Sequence, residues 1–475
     1  MFISFAFVII YANFMYNYFI NYLFRGTRKG GIVMNKRKIL ETIERENISF
    51  IRLMFTDLMG IPKNVEIPAE ELPTALEKGI YFDGSSVDGF VGIEESDLIL
   101  KPDIDTLAIL PWTVEGKRKT ARFISDVYTP DGKPFEGDPR YILKKTLLKA
   151  KEMGFSDFKV GPEMEFFIFK EKDNEPTTEI IDTGGYFDLL PVDKGEQVRQ
   201  DIVIALKKMG FNVETAHHEV APSQHEIDFR YGPALSVADN VITLKLVAKT
   251  IAISRGLVAN FMPKPIVGVN GSGMHIHMSL FKNGKNAFYK EDGPYGGLSE
   301  TMLYFIGGIL HHIRAITAIT NPTVNSYKRL VPYYEAPTNA CWATNNRSAL
   351  IRIPAARGDG TRIELRNPDP SSNPYLAFAV ILAAGLDGIE RKITPPNPVN
   401  NINTYDLSPT EMEKLKIIPL PTTLAEALIE LEKDELLKNT LGEHAYEKFT
   451  TIKWEEWKEY NTIVHPWEIE KYCRI

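Results

Sequence analysis

The chain has 475 residues, 55 Lys plus Arg against 62 Asp plus Glu, a formal net charge of -7, and 44% hydrophobic and 25% charged residues. That balance excludes a disordered or fibrous chain, and an acidic pI near 5.8 argues against nucleic acid as the main partner, because phosphate neutralisation needs a basic surface. Two cysteines far apart, Cys341 and Cys473, speak against a disulfide framework or a cysteine zinc site and point to a reducing cytoplasm.

Met1 to Phe24 are almost all Phe, Ile, Tyr, Val, Ala, Met and Asn, with Arg25, Arg28 and Lys29 following. Roughly 20 apolar residues are enough to span a bilayer, but a basic start and a small-residue cleavage site are missing. AT-rich codons spell these residues, and Lys29-Gly30-Gly31 reads as a translated ribosome-binding sequence ahead of Met34-Asn35-Lys36. Residues 1–33 are therefore expected to be an untranslated leader read as protein, or an apolar N-terminal extension, and no membrane partner is expected.

Ile51 to Asp57 alternates as a strand, Met59-Gly60-Ile61-Pro62 turns, and Asn64 to Ile67 returns. Leu107 to Pro111 and Ala121 to Val127 read as further strands, giving a small β-rich domain over residues 34–135. After the Pro/Gly/Asp-rich stretch from Pro130 to Gly137, Asp138 is the expected N-cap, Pro139 the first helical residue and Gly154 the stop. Long helices are expected near 196–209, 235–255, 299–319 and 375–391, and capping boxes at Ser408–Glu411 and Thr423–Glu426. Strands mixed with helices without a βαβ rhythm predict an α+β fold, with residues 136–475 as the larger domain.

Four segments place unusual groups on one strand face: Glu163 and Glu165; His275, His277 and Ser279; Arg362, Glu364 and Arg366; and Glu226, Asp228 and Arg230. A solvated sheet face would carry Lys, Thr and Ser instead. Packing so many carboxylates together is costly unless cations neutralise them. Glu163, Glu165, Glu219, Glu226, Glu364 and His275 suit hard ions such as Mg²⁺ or Mn²⁺. Six ligands fit two or more ions, and paired ions with arginines point to phosphoryl transfer. His217, His218 and His225 remain alternative ligands. No Walker A motif is present, but Asn270-Gly271-Ser272-Gly273 is a glycine-rich loop directly before the His275 strand.

Phe82-Asp83-Gly84-Ser85-Ser86, Lys264-Pro265 with Asn270 to His275, Asn325 to Leu330, Asn346-Arg347-Ser348 and Arg362 to Arg366 resemble, in order, the signatures of glutamine synthetase. The resemblance runs from about Asn35 to the C-terminus and is closest to the type I enzymes, alpha branch. It implies a β-grasp N-terminal domain and a catalytic domain built on an antiparallel sheet with flanking helices. It also implies ATP-dependent ligation of L-glutamate and ammonium through γ-glutamyl phosphate, in nitrogen assimilation. The expected assembly is a homo-oligomer of two stacked hexameric rings, with active sites between subunits.

Carried onto matching positions, Glu165, Glu219 and Glu226 hold one metal and Glu163, His275 and Glu364 the other. Asn270, Gly271, Arg329 and Arg366 match glutamate-binding positions, and Glu214, His277, Ser279, Arg352 and Arg362 nucleotide-binding ones. Arg347 matches the arginine on the transferring phosphoryl group and also counts among the substrate-binding positions. Asp83 matches the aspartate that takes the ammonium proton, and Glu335 the flap glutamate that closes over substrate. Two departures stand out. Tyr405-Asp406-Leu407 lacks the basic residue of the beta-branch adenylylation motif, and Gly92 stands where some alpha-branch enzymes carry an arginine for glutamine feedback. A superfamily relative using another amine and an inactive ring scaffold are the rival readings; Asp83 with Ser86 suits a small cation, and every ligand position is filled.

Overall fold

The computed structural model describes residues 35–92, 96–113, 118–173 and 175–475. The expected leader, residues 1–33, lies outside the described residues. The first helix, α1 (Lys36–Arg45), is capped by Asn35, whose side chain accepts the Lys38 N–H at 2.9 Å.

Among the described residues, six strands form the N-terminal sheet: β1 (Phe50–Thr56), β2 (Pro62–Pro68), β3 (Ile80–Asp83), β4 (Asp97–Pro102), β5 (Ala108–Ile109) and β6 (Thr120–Tyr128). The order is β2-β1-β6-β4-β3, with β1 parallel to β6 and the helix α2 (Leu72–Lys78) between β2 and β3. The expected strand from Leu107 to Pro111 shrinks to Ala108–Ile109, because short 3-10 turns at Ile104–Thr106 and Pro111–Thr113 take up the flanks. The β1–β2 turn adopts φ +85° at Gly60, and a Cβ there would lie 3.0 Å from the Asn373 Cα. Glycine thus lets this hairpin sit against Asn373, whose amide donates to the Asp57 and Leu58 carbonyls at 3.2 Å each.

Helix α3 (Pro139–Glu152) starts as expected: Asp138 accepts the Arg140 N–H, Pro139 opens the helix, and Gly154 follows it at φ +90°. Arg140, buried, joins Asp126 of β6 at 2.5 Å, Asp103 at 2.7 Å and Asp239 at 3.0 Å, tying the N-terminal sheet to the larger part of the fold.

Among the described residues, eleven strands build the second sheet. Its main path is β16 (Trp342–Ala343), β17 (Ile351–Arg352), β18 (Ile363–Leu365), β13 (Met274–Lys282), β7 (Asp157–Lys172), β10 (Gln224–Phe229), β9 (Val213–His218). β8 (Glu175–Ile180), β11 (Gly232–Pro233) and β12 (Leu257–Asn260) add to β7, and β14 (Lys285–Asn286) to β13. β15 (Asn339–Ala340) pairs separately with β19 (Ile418–Pro419). Met164, Ile227, Ile276, Met278, Ile363 and Leu365 point to one face and are buried, each contributing about 1.5–3 kcal/mol by leaving water. Alternation therefore sends their polar neighbours to the opposite face.

The helices α4 (Glu196–Lys208), α5 (Ala234–Ile253), α6 (Glu300–Thr320) and α7 (Pro374–Arg391) match the expected spans closely. α5 packs on β7, and α6 lies along α7. Among the described residues, α6 alone is long and apolar enough to cross a membrane, and it is largely buried within the protein. The C-terminal region adds α8 (Pro409–Leu415), α9 (Leu424–Lys433), α10 (Glu435–Leu441), α11 (Glu443–Thr462) and α12 (Pro466–Tyr472). The Ser408 capping box forms in full. At Thr423 only half forms: its hydroxyl accepts the Glu426 N–H, but the Glu426 carboxylate turns to Thr422. Cys341 is buried, Cys473 exposed, and both are free thiols.

Candidate active site

Strand register brings the four expected segments onto one face. Glu163 stands opposite His275 and Asp228, Glu165 opposite Glu226, His277 opposite Glu364, and Glu226 opposite His217. These are direct cross-strand neighbours, whose Cβ atoms lie ~4.5–5.5 Å apart. Two trios have ligand atoms within 4.8 Å of one another: Glu163, His277 and Glu364; and His217, Glu219 and Glu226. His275 lies between the trios, with Nδ1 3.1 Å from Glu163 Oε2 and 3.7 Å from Glu165 Oε1. Glu165 itself accepts the Gly273 N–H at 2.9 Å and the Gln224 amide at 3.1 Å. His277, expected at the nucleotide, here touches Glu163 at 2.7 Å through Nε2 and accepts from Arg362 Nε at 3.1 Å through Nδ1.

The electrostatics are those of a crowded acidic cluster. Burial and the Glu219 charge push the Glu165 carboxyl well above its usual range. Glu226 is likewise raised, by burial and then by Asp228. Burial lifts Glu219 to about 7, against the Val220 N–H that it accepts at 2.9 Å. Burial also lifts Asp228 to about 6. Glu163 goes the other way, because bonds from His275 and His277 outweigh its burial. Glu364 is also lowered, since Arg366 and His277 outweigh burial, and it is clasped by Arg352 and Arg366. Burial and then Arg366 lower His275 to about 4, which holds it as the neutral imidazole, the form able to ligate a metal. The donor set is hard oxygen with one or two imidazoles, which fits Mg²⁺-class ions and not a structural zinc.

The remaining expected residues fall into separate places. Around the glycine-rich loop, the Asn270 amide donates to Glu335 Oε2 at 3.2 Å, and the Gly271 carbonyl accepts from Gln224 at 3.0 Å. A Cβ on Gly271 would lie 2.2 Å from the Pro263 carbonyl, so only glycine fits. Arg329 is buried, bonded to the Asn367 carbonyl at 2.8 Å, with Nη2 3.4 Å from His275 Nε2. Arg366 donates to the Glu335 carbonyl at 3.4 Å. At the other end of β13, Ser279 donates to the Thr361 carbonyl at 2.9 Å, while Glu214 is exposed on β9. Arg347 is exposed on a cleft of about 380 Å³ shared with Asn346, Ser348 and Asn403. Asp83 stands apart from the metal face, exposed at the end of β3 in the N-terminal sheet. It accepts the Ser85 N–H at 2.8 Å and hydroxyl at 2.7 Å, which lower its pKa.

His218 and His225 alternate with Glu219 and Glu226 and so leave the acidic face. His218 bonds Asp182 at 3.1 Å and the Glu219 carbonyl at 2.7 Å. Arg199 joins Asp193 and His225 Nδ1 at 2.8 Å each. Two carboxylates are thus met by an arginine and a histidine within one buried network under the hairpin that carries Glu219 and Glu226. His217, one of the alternative ligands, shares the acidic face with Glu219 and Glu226. Asp228 was visible in the same alternating pattern as Glu226 but stayed outside the expected ligand set. Tyr186 had no signal in its own segment: it comes from a loop, lies beside Arg347 and Glu219, and its ring meets His217 at 5.5 Å.

Comparison with known proteins gives the family. The family described as "Glutamine synthetase, catalytic domain" matches residues 136–472, and "Glutamine synthetase, beta-Grasp domain" matches residues 47–130. A glutamine synthetase of Thermotoga maritima is 58% identical over 443 residues, covering 93% of this chain and 100% of the relative. One of Methanocaldococcus jannaschii is 53% identical over 450 residues, covering 93% and 99%. Among solved structures, Plasmodium falciparum glutamine synthetase superposes with a TM-score of 0.83 at 29% identity, over 94% of this chain and 100% of its own. The GmaS/ADP complex gives a TM-score of 0.83 at 33% identity, over 92% and 99%. With this fold, this cluster of hard ligands and these relatives, the chain belongs to the glutamine synthetase family of ATP-dependent glutamate–ammonia ligases, enzymes that use divalent metal ions.

Proposed function

We propose that the polar face of the eleven-stranded sheet is the site where L-glutamate is phosphorylated by ATP and γ-glutamyl phosphate is then converted to L-glutamine by ammonia. The observation that carries this reading is the pair of ligand trios side by side, joined through His275 and Glu165. Glu165, Glu219 and Glu226 are assigned to one Mg²⁺, and Glu163, His275 and Glu364 to the other, with His217 and His277 beside them. The bound ions would neutralise the carboxylates and polarise phosphate oxygens.

The chain's own groups do the rest. Arg329 and Arg366, with Asn270 and Gly271, present donors to glutamate. Glu214, His277, Ser279, Arg352 and Arg362 are assigned to the nucleotide, and Arg347 to the transferring phosphoryl group, whose oxygens a guanidinium meets bidentately. Glu335 closes the substrate side and keeps the acyl phosphate from water. Asp83 attracts ammonium by charge and accepts its proton as attack begins. Its place on the N-terminal sheet supports a site completed by a neighbouring subunit. Ile463, Val464, Trp467, Ile469 and Tyr472, exposed apolar residues near the C-terminus, support a homo-oligomer, which we assign as a dodecamer of two hexameric rings.

The two matched family spans support a boundary near residues 131–135, between a β-grasp domain and the catalytic domain. The acidic balance and two free cysteines support a cytoplasmic enzyme of nitrogen assimilation. The test is ATP-dependent phosphate release with glutamate, comparing ammonium with methylamine and longer amines. Preference for ammonium is expected, and preference for a larger amine would overturn the choice of nucleophile.

A further inference from the structure

Tyr405 sits in the segment that resembles an adenylylation motif but lacks its basic residue, and the structure gives this tyrosine another task. Its phenol donates to the Ala336 carbonyl at 3.0 Å, one residue beyond Glu335. Its ring packs 5.3 Å from that of Tyr333, whose own phenol donates to Asp406 Oδ1 at 2.6 Å. Two phenols therefore cross between the same two short segments. Asp406 is oriented in turn by the Asn403 amide at 2.6 Å. Thr404 is pinned to Ser348, next to Arg347, through its N–H at 3.2 Å and its hydroxyl at 2.8 Å.

The loop these bonds hold is not relaxed. Tyr333 and Glu335 both take left-handed backbone angles, φ 68° and 56°, which non-glycine residues adopt only where surrounding contacts impose them. On the far side of the loop, Asn270 bonds the Glu335 carboxylate at 3.2 Å and Arg366 its carbonyl at 3.4 Å. Glu335 is thus set from the substrate side by Asn270 and Arg366, and from the outside by Tyr405, Tyr333 and Asp406.

We propose that Tyr405, on the turn Asn403–Asp406, and Tyr333, on the Glu335 loop itself, form a latch that holds this loop over the site and protects the acyl phosphate from hydrolysis. The inference rests on the reading of Glu335 as the closing residue. Tyr405 is a positioning residue: it touches the loop's backbone and acts on water access through it. When the loop opens early, water in place of ammonia attacks the γ-carbon. The C–O bond to phosphate breaks, phosphate leaves, the water loses a proton to solvent, and glutamate is returned. ATP is spent and no glutamine forms.

The test counts phosphate released and glutamine formed by the assembled enzyme, with ATP and glutamate, across a range of ammonium concentrations. The wild type is expected to release close to one phosphate per glutamine. In Tyr405→Phe, which keeps the ring and removes the donor, phosphate per glutamine is expected to climb above one at low ammonium, with the excess phosphate roughly two- to tenfold that of the wild type, the span one neutral hydrogen bond supplies. It returns to one as ammonium saturates and outcompetes water. A ratio of one at every ammonium concentration in a coupled wild-type background overturns the latch, even if total turnover falls, because a packing defect slows both products together. Should Tyr405→Phe fail to assemble, Tyr333→Phe, at an exposed phenol, carries the same test and the same expected ratio. A wild type that releases no phosphate with glutamate and ammonium would sink the proposed reaction itself, and the latch with it.

Discussion

Metal binding should release protons, because carboxyls of the cluster are raised. Glu219 is lifted to about 7 and Asp228 to about 6, while Glu165 and Glu226 lie well above the ordinary carboxylate range. Only the ionised carboxylate ligates, so each proton held at neutral pH must leave. A group at 7 is half protonated at pH 7, so Glu219 alone would release ~0.5 proton per subunit, with Glu165 and Glu226 adding to it. Titration calorimetry with Mg²⁺ or Mn²⁺ in two buffers of different ionisation enthalpy reads this number directly. Release should be largest below pH 7 and fade toward pH 8.5, with affinity rising over the same range. The same groups set the sign of stability. A carboxyl raised in the folded state binds more protons than in the unfolded chain between about 4.5 and 7, so the metal-free protein loses stability as pH rises through that window. Added metal should therefore raise Tm more at pH 8 than at pH 5.5. Buffer-independent heats at pH 6.5, with tight metal binding, would refute the assignment of these carboxylates as ligands.

Other outcomes follow from single side chains. Asp83→Asn can still accept the Ser85 N–H, so assembly and Tm should hold, while glutamine formation at neutral pH falls ~100-fold or more and recovers partly toward alkaline pH, where free ammonia is supplied; an unchanged pH–rate profile at near-normal rate would remove Asp83 from the reaction. Glu364→Ala would strand the buried Arg366, at about 3–5 kcal/mol. Glu364→Gln, which still accepts hydrogen bonds, is the cleaner variant: it should stay folded, bind metal more weakly and lose turnover, and wild-type-like turnover would refute the ligand role. His312 lies between Asp387 at 3.1 Å and Asp434 at 2.6 Å, and these bonds outweigh burial and raise its pKa above 6.5. Its stabilisation is complete below pH 6.5 and is lost as pH rises through the higher folded value. His312→Gln should therefore flatten the fall of Tm on the alkaline side, and an unchanged slope would show that the pairing does not titrate there.

Much of the site was legible because strand alternation is local. A period of two places Glu163 with Glu165, His275 with His277 and Ser279, Glu226 with Asp228, and Glu364 with its flanking arginines, whatever the rest of the chain does. Helix limits were equally local, as at Asp138-Pro139 and Ser408-Glu411, where caps satisfy the first free N–H groups. The second box failed at Thr423 because Thr422, an equally good donor, captured the Glu426 carboxylate.

Which of these groups meet was a different matter. That depends on the order β18-β13-β7-β10-β9 and on registers between strands, such as Glu163 against His275, 112 residues apart. Neighbourhood across strands is decided by hydrogen bonding between distant segments and leaves no trace in either segment alone. The same holds for Tyr186 against His217 and for Tyr405 against Ala336, where loops are placed by what they meet. The residue types of this protein set the chemistry and the face of each element. Only tertiary packing decided the partners, because burial and charge repulsion act on what comes together in space, and sequence separation does not enter either energy.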